Sequence, residues 1–207
     1  MSAPLAFGCE CGAVAGAVSA EGIAQGRRYV CHCRDCQAFA HYTGHADTVL
    51  DRHAGTDILQ MPAGAVSLAR GRDSLAAVHL TDRPLLRWSC RTCRTPLANS
   101  LASPKWAFYS MILTSPDARA IGNASAKHVF PESGCNVPDD VEQASMMAMA
   151  LPIMKWLASA RWTGSWRQHP LFDPKTGAPL AKPVGLSKEE RAALDQQVDA
   201  FCGHAGG

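Results

Sequence analysis

The stretch RYVCHCRDCQAFAHYTG, residues 28–44, places a strand, a cysteine knuckle and a helical turn next to one another. Arg28 to His32 alternates in the way a strand does. Cys31, Cys33 and Cys36 follow as three thiols on one short turn. Cys36 to His41 then reads as a helical turn, with Asp35 as its cap and Gly44 as its stop. Outward from this stretch, Gly12 to about Leu113 is a series of short apolar runs broken by Gly, Pro, Asp and Arg. These runs predict strands over residues 13–18, 28–32, 58–61, 66–68, 75–80, 85–88 and 106–112, and so a mainly β fold of short antiparallel strands.

The composition changes after Pro131. Asp139 and Asp140 precede a run containing Met146, Met147, Met149, Leu151, Ile153, Met154, Trp156 and Leu157, which predicts a helix that Pro152 interrupts. Met147, Leu151, Met154, Ala158 and Trp162 form a stripe for packing on the same domain or on a second subunit. The apolar stretch falls short of the roughly 20 residues of a membrane span, so membrane contact is not expected. Residues 162–185, with Pro170, Pro174, Pro179 and Pro183, read as a loop ordered by contact or a linker. Ser187 and Glu190 then form a capping box for a last helix that carries Leu194 and Val198 on one face. The expected division is a β domain over 1–130 and a helical extension over 131–207.

At 207 residues and 22.1 kDa the chain is long enough to bury one continuous core. A net charge of +2 with scattered Lys and Arg excludes a nucleic-acid footprint. Met1 to Gly8 has no charged segment leading into a long apolar one, which makes the cytoplasm the expected compartment.

Seven of the nine cysteines fall in three groups, at 9–11, 31–36 and 90–93. Cytoplasmic thiols stay reduced, and Cys9 and Cys11 are poorly spaced to bridge each other. Short spacings suit zinc, because one turn aims several thiolates at a point about 2.3 Å from the metal. Cys9-Glu10-Cys11-Gly12 and Cys90-Arg91-Thr92-Cys93 together supply four thiolates for a closed structural site, with Gly12 suited to a knuckle at positive φ. Two buried thiol pairs are the competing reading. Cys31, Cys33 and Cys36 supply three, which with an exchangeable fourth ligand is the arrangement of a catalytic zinc. Alternatively His32, His41, His45 or a distant residue fills that place and the site is structural. The expected cofactors are therefore two Zn2+ per chain, one structural and one catalytic.

Other residues carry weaker signals. His41, His45 and His53 read as proton shuttles or a fourth ligand, or as surface histidines. Arg34 and Asp35 read as carboxylate-steering or second-layer hydrogen-bonding groups, or as solvated turn residues. Cys135 and Cys202 read as apolar fillers without a role.

The order C-x-C-G, C-x-C-x-x-C, C-x-x-C resembles the glutathione-dependent formaldehyde-activating enzyme family, related to centromere protein V. The resemblance covers about Phe7 to Leu113. It implies a zinc-stabilised β-tent, a structural zinc on Cys9, Cys11, Cys90 and Cys93, and a catalytic zinc on Cys31, Cys33 and Cys36. It also implies a carbon–sulfur lyase similar to S-(hydroxymethyl)glutathione synthase, acting on an adduct of glutathione or a similar small thiol with an aldehyde-like electrophile. Two features depart from that family. The third motif continues as Arg94-Thr95-Pro96 where the family has glycine, so a left-handed Arg94 would cost about 1 kcal/mol, and the chain beyond Leu113 is longer. The alternative is a non-catalytic zinc-binding protein whose helical extension binds a partner or a membrane surface.

Overall fold

The structure, a computed structural model, describes residues 4–119 and 126–204. In chain order it contains β1 (Leu5–Gly8), β2 (Ala15–Val18), α1 (Ala20–Gln25), β3 (Arg27–Cys31), α2 (Arg34–Thr43) and α3 (Ala46–Val49). There follow β4 (Thr56–Pro62), β5 (Val66–Arg70), β6 (Leu75–His79), β7 (Leu85–Cys90), β8 (Pro96–Leu101), β9 (Phe108–Ile112) and α4 (Pro116–Arg119). The last elements are β10 (Lys127–Val129), α5 (Met146–Thr163), β11 (Val184–Gly185) and α6 (Lys188–His204).

Eight strands form one open sheet in the order β10-β3-β4-β9-β8-β7-β6-β11, and β1-β2-β5 form a small second sheet. Interior neighbours of the large sheet are antiparallel, but β10 runs parallel to β3 and β11 parallel to β6. The expectation of antiparallel strands throughout is thus corrected at both edges. Each edge strand is reached after a long excursion, which permits a parallel approach that a tight hairpin forbids.

Period-two alternation gives the large sheet two buried faces. Ala77, Trp88, Ala98, Met111 and Leu59 lie opposite one another across β6, β7, β8, β9 and β4 and enter one core, with Leu157 and Ala160 of α5 and with Leu171 and Phe172. Val78, Arg87, Asn99, Ser110 and Gln60 are the next residues along and face the other side. There Ile58 and Ile112 pack with Cys36, Phe39 and Ala40 of α2, and with Leu194 and Val198 of α6. The segment over 162–185 is ordered by contact: Phe172 sits edge-on to Trp88 at 6.0 Å.

Several sequence expectations change. The first helical turn begins at Arg34, so Cys33 rather than Asp35 is its N-cap, while Gly44 ends it at φ 74°. Asp35, in the first turn, still favours the helix dipole. The long helix starts at Met146 with the Ser145 hydroxyl accepting from Ala148 N–H, and it continues through Pro152. The capping box forms, since Ser187 N–H donates to the Glu190 carboxylate and Glu190 N–H to the Ser187 hydroxyl. The stripe of Met147, Leu151, Met154, Ala158 and Trp162 does not pack on its own domain but faces solvent, because Ile153, Leu157 and Ala160 take the inward side. Cys135 and Cys202 are not separate fillers, for they form a disulfide with Cα atoms 5.2 Å apart.

Candidate metal centres

The first centre is made by two backbone knuckles. Between β1 and β2, Gly12 N–H donates to Cys9 O with Gly12 at φ 74°, and Val14 N–H donates to Cys9 Sγ at 3.2 Å. After β7, Arg94 N–H donates to Cys90 O, and Arg94 has φ 62°. The left-handed residue where the resembled family has glycine is therefore present. Its guanidinium lies 5.3 Å over the Tyr42 ring and donates to Tyr42 O, contacts a glycine lacks. Thr95 ties the two knuckles together, its hydroxyl accepting from Glu10 N–H.

The four sulfurs of Cys9, Cys11, Cys90 and Cys93 lie within 4.8 Å of one another. Cys9 and Cys11 Sγ are 3.5 Å apart, and Cys11 and Cys90 Sγ 3.7 Å. A tetrahedron with metal–sulfur bonds of 2.3 Å has edges of about 3.8 Å, so the spacing fits zinc. As free thiols the group is ill-suited to its surroundings. Burial pushes Cys9 up to about 12. Against the upward pull of burial, hydrogen bonding to Thr95 takes Cys93 down to about 6. A cation bound by all four removes the mismatch.

The second centre sits where β3 passes into α2. Cys31 is the last residue of β3, Cys33 caps α2 and Cys36 lies in its first turn. Cys31 Sγ is 3.5 Å from that of Cys33 and 3.6 Å from that of Cys36, again the edge length of a zinc tetrahedron. Three ligand atoms, and no fourth from His, Cys, Asp or Glu among the described residues, make up this group.

None of the histidines proposed for the fourth place joins the three thiols. His32 is fully buried, with Nδ1 3.0 Å from His53 O and Nε2 2.9 Å from His128 Nδ1. A carbonyl only accepts, so His32 carries its proton on Nδ1 and accepts from His128 through Nε2. Gly134 permits this packing, because a Cβ there would fall 2.7 Å from His32 Nδ1. His45 Nδ1 donates to Thr43 O, and its Nε2 faces Glu10. His53 Nδ1 donates to Cys135 O, and His41 stands edge-on to Phe201 with its Nε2 buried and without a hydrogen-bond partner among the described residues.

Arg87 is the residue beside the second centre that sequence reasoning passed over. Its side chain is buried at 3% exposure, and one amino group donates to both Cys36 Sγ at 3.3 Å and Asn99 Oδ1 at 3.0 Å. An unpaired buried guanidinium costs several kcal/mol, so it requires an anion. Cys36 supplies one: hydrogen bonding with Cys31 and Cys33 first, and Arg87 in addition, hold it well below the usual thiol range despite burial. Three thiolates around a divalent cation carry one net negative charge, which one guanidinium balances. The sequence signal was present as an arginine at an inward position of an apolar strand.

Arg34 and Asp35 do not face the three thiols. Arg34 pairs with Asp195 and Asp199, and Asp35 with Arg191, all from α6. These pairs lay α6 along α2, and Cys135–Cys202 fastens its end. Cys31 and Cys36 are buried in the core cluster that Leu194 and Val198 of α6 also enter, and Cys33 is half-buried.

Residues 1–183 match the model of a family described as "Family of unknown function (DUF6151)", and the chain belongs to that family. No curated protein matches it. Among solved structures it is similar to the crystal structure of a Rhodobacter sphaeroides protein from structural genomics. That protein is 19% identical, and the match covers 60% of this chain and 100% of the other at TM-score 0.39.

Proposed function

We propose that this member of the family is a two-zinc β-tent protein that makes and breaks carbon–sulfur bonds between a small thiol, such as glutathione, and an aldehyde-like electrophile. The observation that carries the reading is the contrast in ligand number, four sulfurs in one group and three in the other, with no histidine nitrogen among the described residues joining either group. The resemblance to the formaldehyde-activating family supports it and supplies the reaction class. Zinc bound by Cys31, Cys33 and Cys36 would lower the pKa of an incoming thiol at its fourth position.

The chain's own residues prepare that position. Arg87 neutralises the trithiolate so that it accepts a further anion, and Asn99 aims the guanidinium. His32 is locked at both ring nitrogens and fixes the backbone between Cys31 and Cys33. In the forward direction a sulfur–carbon bond forms, the carbonyl π bond becomes a carbon–oxygen single bond, and the thiol proton ends on the new hydroxyl. Cleavage is the same step reversed.

The burial of Cys31 and Cys36 under α6 favours a second reading, a non-catalytic zinc protein with two structural sites. Exchange NMR on glutathione mixed with formaldehyde or another small aldehyde separates the two. The enzyme reading predicts interconversion of thiol and thiohemiacetal faster than the uncatalysed rate, with the excess lost in Cys36→Ser. No acceleration with any aldehyde, by protein carrying both metals, overturns it.

No helix among the described residues is long and apolar enough to cross a membrane. A cytoplasmic location belongs to the proposal. In that compartment Cys135 and Cys202 would be held as thiols, which would free the end of α6 and uncover the second centre.

A further inference from the structure

Among the described residues, five of the seven large apolar side chains that are exposed belong to α5: Met146, Met147, Leu151, Met154 and Trp162. Trp162 is 93% exposed. The opposite side of the same helix sends Leu157 and Ala160 into the first core. A helix apolar on both sides is normally covered on both, and the exposed stripe from Met146 to Trp162 is about 24 Å long at 1.5 Å per residue.

Charge and shape at the stripe point to what covers it. Exposed Asp139 and Asp140 precede the helix, while Lys155, Arg161 and Arg167 gather toward its far end. None of the acids and neither arginine is in an ion pair among the described residues. Beside the stripe runs a groove lined by Arg27, Leu151, Pro152, Lys155 and Trp156. Projecting tryptophan and groove lie on one surface, so a single twofold axis can seat each in the other.

We infer that α5 is a homodimer interface in which two copies pack antiparallel, each Trp162 entering the other copy's groove beside Leu151, Pro152 and Arg27. Antiparallel pairing brings the arginine end of each helix toward the Asp139–Asp140 end of the other and opposes the two helix dipoles. Parallel pairing would set like charges together. The tryptophan face meets Arg27 as a cation–π contact, and the small Ala158 allows close approach of the backbones. An anionic membrane surface suits the stripe less well, because Asp139 and Asp140 would be driven against it.

Sedimentation equilibrium on the metal-loaded full chain tests this. The expected species is a dimer of 22.1 kDa chains. Leu151→Glu and Trp162→Ala should each give monomer with unchanged circular dichroism and metal content. Arg161→Glu with Arg167→Glu should weaken the dimer at least about tenfold, and adding Asp139→Lys with Asp140→Lys to the same chain should restore it. A wild-type monomer at about 100 μM, well above typical dimer dissociation constants, overturns the inference, as does a dimer that survives Leu151→Glu. Failure of the charge swap to rescue overturns the antiparallel arrangement. Flotation of the wild-type protein with anionic vesicles would assign the stripe to a membrane instead.

Discussion

The two cysteine groups use the same side chain at nearly the same spacing and are built differently. The group of Cys9, Cys11, Cys90 and Cys93 joins the β1–β2 turn to the β7–β8 turn, parts of the chain about eighty residues apart. The group of Cys31, Cys33 and Cys36 spans a single strand-to-helix junction. A metal in the first group would therefore tie the fold together, whereas one in the second would balance a charge beside Arg87. What encloses the second centre is added from elsewhere: Arg87 from β7 beneath it, and α6 over it with Arg191 on Asp35. In the proposed function, stability and chemistry belong to separate thiol sets.

The largest effect is expected from Cys93→Ser. Structural zinc contributes an apparent ~10–16 kcal/mol to folding, comparable to the whole stability of a domain. This variant should lose its cooperative thermal transition in circular dichroism. Cys36→Ser should keep a near-native spectrum, lose about one zinc and cost about 3–5 kcal/mol, because the Arg87 guanidinium is left without its anion. Cys36→Ser combined with Arg87→Met should recover most of that loss in urea unfolding. Equal severity of Cys93→Ser and Cys36→Ser would break the comparison.

Reducing the disulfide probes the cover of the second centre. Cys135 and Cys202 are 67 residues apart, and closing a loop of that length stabilises by about 4 kcal/mol in the chain-entropy model. Cys135→Ser should lower the unfolding midpoint accordingly and speed alkylation of metal-free protein at Cys33 and Cys36 more than at Cys11 and Cys93.

The smallest effect concerns the other face of the sheet. His169 is buried beside Tyr109 and Phe172, accepting from Leu171 N–H through Nδ1 and donating through Nε2 to Phe108 O. Burial lowers its pKa from 6.5 to about 4. The unfolded chain then takes the proton first. The contribution of neutral His169 is whole above pH 6.5, declines as pH falls toward 4 and is absent below it, a total of about 3 kcal/mol. Urea unfolding of wild type and His169→Gln between pH 7 and 5 should show the wild type losing stability more steeply.

Much of the strand pattern and both thiol groups were legible in the sequence because each depends on local spacing. Gly12 and Arg94 adopt the left-handed conformations that the knuckles require. Strand β8 was not legible, since Asn99 and Ser100 are poor strand formers. They stand there to satisfy Arg87 and the Trp88 indole N–H, partners fixed only by strand pairing. Arg87 was missed for the same reason, its anion lying 51 residues away. The pairing of Cys135 with Cys202 and the outward turn of Met147, Leu151, Met154 and Trp162 likewise depend on tertiary placement. A helix apolar on both sides does not reveal from sequence which side its own domain will take.

Zinc X-ray absorption on the two-zinc protein, with and without glutathione, tests the four-and-three division most directly. The account predicts an average of about 3.5 sulfurs per zinc alone, rising to about 4 as the thiol enters the second centre. Four sulfurs per zinc before any thiol is added, or an average that glutathione leaves unchanged, would contradict it.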